Sequence, residues 1–274
     1  MVAAREAPGF DPRVVAEIDA RLDEVCARHR VAIPLAIESG SRAWGFPSPD
    51  SDYDCRFVFV RAAEDYLTPW PRRDVIETPL DALLDVNGWD LGKLIKLLLK
   101  GNAVAVEWLQ SPLHYRLDPE FRRMLVTFAA EHGARDAIRR HYLHLGEGQW
   151  RRFASDPSIP AKKLFYALRP AAALRWLARH PEARIAPMHF PTLMAESDPP
   201  AATAAIVDAL IEAKGQTREL GTTAIPTPIR DFVEGEYAEA RQALANAPPI
   251  RLDRETKAGA EAIFRELVAR YAPA

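Results

Sequence analysis

The first third of the chain combines helical and strand patterns. After Asp11-Pro12, a pair typical of a helix start, apolar residues recur at helical spacing to about Arg30. The following segment VAIPLAIE is rich in β-forming residues, but Pro34 favours an outer position or a strand start over a central one. Three further strand candidates are the apolar run Phe57–Val60 and the segments DVIETPL and LLDVNGW.

The remainder of the chain is predominantly helical. Asp90 is positioned to cap a helix LGKLIKLLLK that Gly101 ends, and VAVEWLQ predicts a second short helix. From Pro119 onward the periodicity is almost wholly that of helices. Strands and helices followed by helices alone predict an α/β (α+β) domain with a mixed sheet over residues 1–116 and an all-helical C-terminal domain over residues 117–274.

Composition adds a cellular expectation. Hydrophobic residues make up 48% of the 274 positions and charged residues 27%, as in ordinary globular proteins. No apolar run approaches the roughly 20 residues that span a bilayer, and the first ten residues lack the apolar stretch of a secretory signal. With Cys26 and Cys55 as the two cysteines, a disulfide framework is not expected. We therefore expect a soluble cytoplasmic protein without a membrane partner.

Charge is unevenly distributed. The formal net charge of -2 argues against a protein that binds nucleic acid through overall charge alone. One segment, from Arg139 to Arg179, nevertheless carries nine cations against Glu147 and Asp156. This segment either faces an anion or is the solvated face of helices.

The most informative motif is Gly40-Ser41, ten intervening residues, and then Asp52-Tyr53-Asp54. Alternate residues of a strand point to the same side, so Asp52 and Asp54 place two carboxylates together while Tyr53 faces the other way. Such carboxylates repel one another unless a hard cation lies between them, and Mg²⁺ prefers oxygen ligands together with substrate phosphates. Gly40 allows close backbone approach, and Ser41 can donate to phosphate oxygens. The motif favours phosphoryl or nucleotidyl transfer.

The sequence ESGSRAWGFPSPDSDYDCRF, which begins at Glu38, resembles the signature of the DNA polymerase β-like nucleotidyltransferase superfamily. The chain is more specifically similar to the YcgL-type predicted nucleotidyltransferases associated with RNA repair, through the stretches GWDLGKLIKLLLKGN, VEWLQSP and KKLFYALRPAAALRW. The resemblance covers most of residues 36–180. It implies the polymerase β-like fold for the first domain.

The resemblance also implies a metal site. In this superfamily the two aspartates of the motif, here Asp52 and Asp54, bind two divalent ions, Mg²⁺ or Mn²⁺, and a carboxylate on a later strand completes the site. We assign the third position to Asp85, within the strand candidate LLDVNGW; its rival Asp90 is explained by a helix cap. These three aspartates are the predicted catalytic and metal-binding residues.

The implied reaction is in-line attack of an acceptor hydroxyl on the α-phosphorus of a nucleoside triphosphate such as ATP, with pyrophosphate leaving. The acceptor could be an RNA end, a protein side chain or a small molecule. Arg42 and Arg56 flank the motif and suit phosphate contacts, although Arg56 could equally face solvent. Lys162, Tyr166 and Arg169 share one face of a basic helix. Lys162, Lys163 or Arg169 could reach the phosphates. The predicted nucleotide-binding residues are Gly40, Ser41, Arg42, Arg56, Lys163 and Arg169.

Two other functions remain open on sequence alone. The chain could be a catalytically inactive module that binds or senses nucleotides, although both aspartates of the motif are present. It could also be an unrelated metal-dependent phosphohydrolase, since such enzymes cluster aspartates for similar chemistry. Release of nucleoside monophosphate to water, without an acceptor product, would indicate the hydrolase.

Overall fold

The structure is a computed structural model that describes residues 1–80, 83–218, 220–249 and 251–274. Six strands form the main sheet in the order β1-β6-β2-β3-β5-β4, and two more form a short separate ribbon. The strands are β1 (Val2–Ala3), β2 (Val31–Glu38), β3 (Tyr53–Arg61), β4 (Val75–Glu77), β5 (Leu84–Asp90), β6 (Leu113–Leu117), β7 (Ile159–Pro160) and β8 (Thr222–Thr223).

Helices supply most of the remaining chain, and none among the described residues has the length and apolarity to cross a membrane. They are α1 (Pro12–His29), α2 (Gly40–Trp44), α3 (Leu91–Leu99), α4 (Ala103–Gln110), α5 (Pro119–His132), α6 (Arg135–Trp150), α7 (Lys162–Arg179), α8 (Phe190–Ser197), α9 (Ala201–Gln216), α10 (Thr227–Leu244) and α11 (Arg254–Tyr271).

The main sheet is mixed, as predicted. Strand β3 pairs antiparallel with β2 and parallel with β5, while β1 runs parallel to β6. Among the described residues after 117, the regular elements are helices joined by loops, apart from the antiparallel ribbon of β7 and β8. The predicted α/β class with a following helical region is therefore confirmed. The ribbon was not predicted, because strands of two residues are too short to show a sequence pattern.

The two faces of the sheet are covered differently. Helix α1 packs its buried side chains, such as Ile18 and Leu22, against one face of the sheet. On that face, β3 contributes Cys55, Phe57 and Phe59 to the same core. The opposite face joins a larger core that includes Val58 of β3 and residues from the helices that follow β5. This core runs without interruption from the sheet to Leu267 of α11.

Pro34 lies where the sequence argued against it. Strand β2 is central, between β3 and β6, and the register with β3 shifts between Ala32 and Leu35. Proline lacks the N–H that a regular ladder needs, and a bulge removes that requirement. The Pro34 carbonyl still accepts a hydrogen bond from Asp118 N at 2.8 Å. The expectation of an outer position was therefore wrong because the irregularity at Pro34 depends on the neighbouring strands.

Candidate active site

Gly40 forms the turn between the central strand and the carboxylates. Strand β2 ends at Glu38, and α2 begins at Gly40 with φ of +61°, a backbone conformation that favours glycine. A Cβ atom on Gly40 would collide with Oδ2 of Asp54 and lie 2.9 Å from its Cγ. The backbone of this turn is thus packed directly against a carboxylate of the motif.

Asp52 and Asp54 line one cleft, of about 620 Å³, together with Gly40 and Ser41. Asp52 is exposed, whereas Asp54 is half-buried at the start of β3. Tyr53 points to the opposite face, where it packs with Phe10 beside α1 and its hydroxyl accepts a hydrogen bond from Asp11 N.

Asp85 is the cross-strand neighbour of Asp54 in the parallel pair of β3 and β5. The guanidinium of Arg56 connects them, with Nη2 donating to Oδ1 of Asp54 at 3.0 Å and to Oδ2 of Asp85 at 2.7 Å. The side-chain amide of Asn87 donates to Oδ1 of Asp85 at 3.1 Å. Arg56 therefore faces the carboxylates and not open solvent, and it is only 16% exposed.

Burial and neighbouring charges shape the ionisation of Asp54. Its pKa is raised above the ordinary value, first by burial and then by the carboxylates of Asp85 and Asp52, while the charge of Arg56 acts in the opposite direction. Arg56 therefore offsets only part of the cost of this carboxylate cluster. A further cation in the cleft would favour the ionised form of Asp54.

Asp90, at the far end of β5, stabilises the fold through contacts with neighbouring elements. Its carboxylate caps α3 by accepting from Gly92 N at 2.8 Å, accepts from the Tyr66 hydroxyl at 3.0 Å and lies 3.6 Å from Nε of Arg61. Asp90 pairs in register with Phe59, five positions along the strands from the Asp54 and Asp85 pair. Asp85, not Asp90, is the neighbour of the motif.

Glu38 is a buried carboxyl group beneath the site that the sequence did not reveal. Its Oε1 accepts from Asp54 N at 3.1 Å, and its Oε2 accepts from the Tyr115 hydroxyl. Burial raises the pKa of Glu38 to about 8. Glu38 links three adjacent strands at the base of the cleft. A polar residue at the end of an apolar strand segment was the one available signal, and it is weak.

Arg42 supports the loop that carries Asp52. Its guanidinium donates to the carbonyls of Gly9 (2.9 Å), Ser51 (2.7 Å) and Asp52 (3.1 Å), and it lies over the Tyr53 ring, 3.9 Å from the centroid. Arg42 is not among the residues that line the cleft. Its position therefore favours a supporting role over the predicted phosphate contact.

Two predicted nucleotide-binding residues of α7 also lie outside the cleft lining. Arg169 is buried, pairs with Glu107 at 2.9 Å and lies over the Trp44 ring, 3.7 Å from its centroid. Lys163 extends toward the Phe153 ring at 5.9 Å. These positions do not support their predicted phosphate contacts, because helix packing turns Arg169 toward the core and Lys163 aside.

Aromatic and cationic side chains form a wall of the cleft that could not be predicted from the sequence. Trp89 of β5 stacks on Trp108 of α4 with ring centroids 3.8 Å apart, and both line the cleft. Further lining residues come from the helical region, at positions far apart in sequence. They are Lys162, Phe165, Tyr166, Lys214, Arg218 and Leu220. Of these, only Lys162 and Tyr166 were considered from the sequence.

The carboxylates of the cleft meet part of what a divalent ion requires of its ligands. Asp52 and Asp54 offer hard carboxylate oxygens, the type that Mg²⁺ prefers. Within the described part of the chain, no group of three His, Cys, Asp or Glu side chains converges closely enough to hold an ion unaided. Arg56 and Asn87 engage both oxygens of Asp85. The carboxylates of Asp52 and Asp54 thus suit a hard divalent ion only if its remaining ligands come from outside the protein.

Comparisons with known proteins agree with this architecture. A model of the RNA repair pathway DNA polymerase beta family matches residues 14–259. The chain is also 37% identical over 213 residues to a Bacillus subtilis (strain 168) protein, "Uncharacterized protein YcgL". That similarity covers 78% of this chain and 81% of the relative. The region that the family model matches, residues 14–259, includes every predicted site residue and most of the helical region.

Proposed function

Because the chain belongs to the RNA repair pathway DNA polymerase beta family, we propose that it transfers a nucleoside monophosphate from a nucleoside triphosphate to an acceptor hydroxyl. The observation that carries this proposal is the packing of Gly40 against Asp54 in the cleft shared with Asp52. Two carboxylates beside a backbone turn with no side chain are suited to a substrate phosphate and its counterion.

Asp52 and Asp54 would hold the divalent ion, Mg²⁺ or Mn²⁺. Asp85 is not among the residues that line the cleft, but it is the cross-strand neighbour of Asp54 and would serve as the third carboxylate from that position. When bound, the ion supplies charge neutralisation of the triphosphate and of the departing pyrophosphate. Arg56 keeps Asp54 and Asp85 in fixed positions through its two hydrogen bonds. A carboxylate of this group accepts the proton of the attacking hydroxyl.

Gly40 and Ser41 contribute by position. The Ser41 hydroxyl donates to Oγ of Ser51 at 2.9 Å, which ties the turn to the loop that precedes Asp52. The absence of a side chain at Gly40 lets the backbone of the turn lie directly against the Asp54 carboxylate. The turn and the carboxylates would therefore bind the same phosphate group from two sides.

The family description and the aromatic wall both favour an RNA end as acceptor. Bases of a single strand stack on aromatic rings with little dependence on sequence. Tyr166, which is 42% exposed on the cleft wall, is available for such stacking, whereas Trp108 is 2% exposed and stacks on Trp89. An RNA terminus supplies both a base for stacking and a hydroxyl for attack.

The proposal is tested by incubating the protein with each labelled triphosphate, Mg²⁺ and RNA oligonucleotides that carry free terminal hydroxyls. We expect a labelled RNA and pyrophosphate, and a loss of at least about 100-fold in Asp54→Asn. The variant should keep or raise its unfolding temperature, since it removes a carboxylate whose burial is unfavourable. Asp231→Asn, an exposed position of α10 outside the cleft, is the control.

Three outcomes separate the alternatives. Labelled monophosphate without an RNA product would identify a phosphohydrolase. Triphosphate binding without turnover, across all four nucleotides and with either metal, would identify a binding module. Full activity in Asp54→Asn would place the chemistry elsewhere in the molecule.

A further inference from the structure

One hydrogen bond of the β2 and β3 ladder is made by a side chain next to the motif. In the register of these strands, Glu38 lies opposite Cys55. Ser39 is therefore opposite Asp54, and its N donates to the Asp54 carbonyl at 2.8 Å, as in an antiparallel pair. The reciprocal bond would join Asp54 N to the Ser39 carbonyl, but Asp54 N donates to Oε1 of Glu38 instead, at 3.1 Å. A side-chain oxygen thus replaces a backbone acceptor at Asp54.

This replacement lets the chain leave the sheet without loosening β3. Gly40 begins α2 with φ of +61°, so the backbone that follows Ser39 no longer runs along β3. An N–H group in a sheet that loses its acceptor is unfavourable where water cannot replace it. Oε1 of Glu38 supplies the acceptor in either protonation state of the carboxyl group. Asp54 can therefore stay in the ladder while the turn diverges beside it.

Glu38 is itself held in place from strand β6 and the residues before it. The side chain is completely buried, and its Oε2 accepts from the Tyr115 hydroxyl. The backbone carbonyl of Glu38 accepts from Oγ of Ser111 at 2.7 Å. Donors on the β6 side thus fix both the backbone and the carboxyl group of Glu38.

Glu38 lies on the face of the sheet opposite the cleft. Its cross-strand neighbour Cys55 and its partner Tyr115 belong to the core beneath α1. Asp54 lines the cleft, whereas Glu38 is not among the lining residues. Glu38 therefore reaches the site only through the backbone of Asp54, without contact to a substrate in the cleft.

We propose that Glu38 is a positioning residue that fixes Asp54 for the divalent ion by accepting a hydrogen bond from its backbone N–H. The inference rests on the proposed function, because the ion at Asp54 is part of that proposal. Tyr115 acts one step further away by holding the carboxyl group of Glu38. Groups that orient metal ligands by hydrogen bonds typically change metal affinity or activity about 10–100-fold when they are lost.

The test compares three substitutions in the full chain. Glu38→Met removes the acceptor with a side chain of similar length, whereas Glu38→Gln keeps a side-chain oxygen for Asp54 N. Tyr115→Phe removes only the hydroxyl that holds Oε2. Glu236→Met is the matched control, because Glu236 is a buried carboxylate of α10 that pairs with Arg175 and lies outside the cleft lining.

The first measurement is hydrogen exchange of the Asp54 amide by nuclear magnetic resonance, without metal or nucleotide. We expect exchange to be about 10-fold faster in Glu38→Met, less accelerated in Tyr115→Phe, and near the wild-type rate in Glu38→Gln and Glu236→Met. The second measurement is the affinity for Mn²⁺ alone, by electron paramagnetic resonance. It should fall about 10-fold in Glu38→Met and no more than about threefold in Glu38→Gln.

Each outcome decides the inference. Unchanged exchange of the Asp54 amide in Glu38→Met overturns it. Faster exchange with unchanged Mn²⁺ affinity, or with an equal loss in Glu236→Met, also overturns it, because the contact would then contribute to stability alone. If Glu38→Met does not fold, Tyr115→Phe decides by the same two measurements.

The inference and the proposed reaction can fail separately, because neither measurement requires catalysis. The expected changes in a protein that forms no RNA product would refute the transfer reaction and leave the role of Glu38 in place. A wild-type protein that binds no Mn²⁺ would overturn the inference together with the metal site. Normal transfer activity with unchanged exchange and Mn²⁺ affinity in Glu38→Met would overturn the inference alone.

Discussion

Gly40 is the position where one added carbon atom has the largest expected effect on the site. In Gly40→Ala the new Cβ would overlap the Asp54 carboxylate, at a backbone φ of +61° that disfavours alanine. We expect a loss of stability of about 1–3 kcal/mol and transfer activity close to background. Chemical denaturation measures the first and the labelled-nucleotide assay the second.

Gly148→Ala provides the matched control. Gly148 lies within α6, and a Cβ there would meet no atom within 4 Å. Alanine in a helix interior stabilises by roughly 0.5–1 kcal/mol relative to glycine. Equal effects of the two substitutions would show that the contact between Gly40 and Asp54 does not shape the site.

At the scale of elements, strand β5 carries two aspartates with different roles, Asp85 near its start and Asp90 at its end. Asp90 caps α3 and lies beside the buried Arg61, so Asp90→Ala should lower stability by about 2–4 kcal/mol. Asp85→Asn removes a partly exposed carboxylate, so it should lower transfer strongly with little change in stability. Unfolding free energies and initial rates of both variants provide the comparison.

Asp253→Ala isolates the contribution of a helix cap. Asp253 accepts from Thr256 N at 2.7 Å at the exposed start of α11, and its loss should lower stability less than the loss of Asp90 does. If Asp90→Ala abolished transfer in a folded protein while Asp85→Asn remained active, the third carboxylate would have to be reassigned to Asp90.

Elements with local signals were predictable from the sequence. The caps at Asp11 and Asp90 and the alternation of β3 depend on residues close in the chain, and these elements form where expected. The family resemblance was likewise confirmed by the match over residues 14–259. Pro34 was misjudged because its bulge requires two neighbouring strands. Local pattern therefore predicted elements well and their irregularities poorly.

At the scale of the whole molecule, the cleft depends on contacts that no local pattern encodes. The Nζ of Lys214 contacts a carbonyl 168 positions away in the chain. The direction of Arg169 was also unpredictable, because the core around α7 buries a residue that the helical wheel grouped with Lys162 and Tyr166. The division into two domains at residue 116 remains a prediction, although one apolar core spans it.

The same long-range arrangement places Lys214 in the cleft, so the binding of a triphosphate or of inorganic tripolyphosphate there should depend on pH. The pKa of Lys214 is lowered to about 8 in the free protein, and a bound anion favours the ammonium form, so the pKa rises in the complex. The contribution of Lys214 to affinity is therefore complete below pH 8 and declines as pH increases through that value. Phosphate ionisation also changes with pH, so the wild-type profile must be divided by that of Lys214→Arg, whose guanidinium stays charged.

We expect the ratio of wild-type to Lys214→Arg affinity for tripolyphosphate to decline between about pH 7 and 9.5, by at most about tenfold per pH unit. Lys162 from α7 and Asp50 from the loop before Ser51 are the charged groups that face Lys214, and they act on its pKa in opposite directions. Lys162→Met should therefore move the decline to higher pH, because it removes a repelling charge. A ratio that stays constant over the whole range would show that the ammonium group of Lys214 does not contact the polyphosphate.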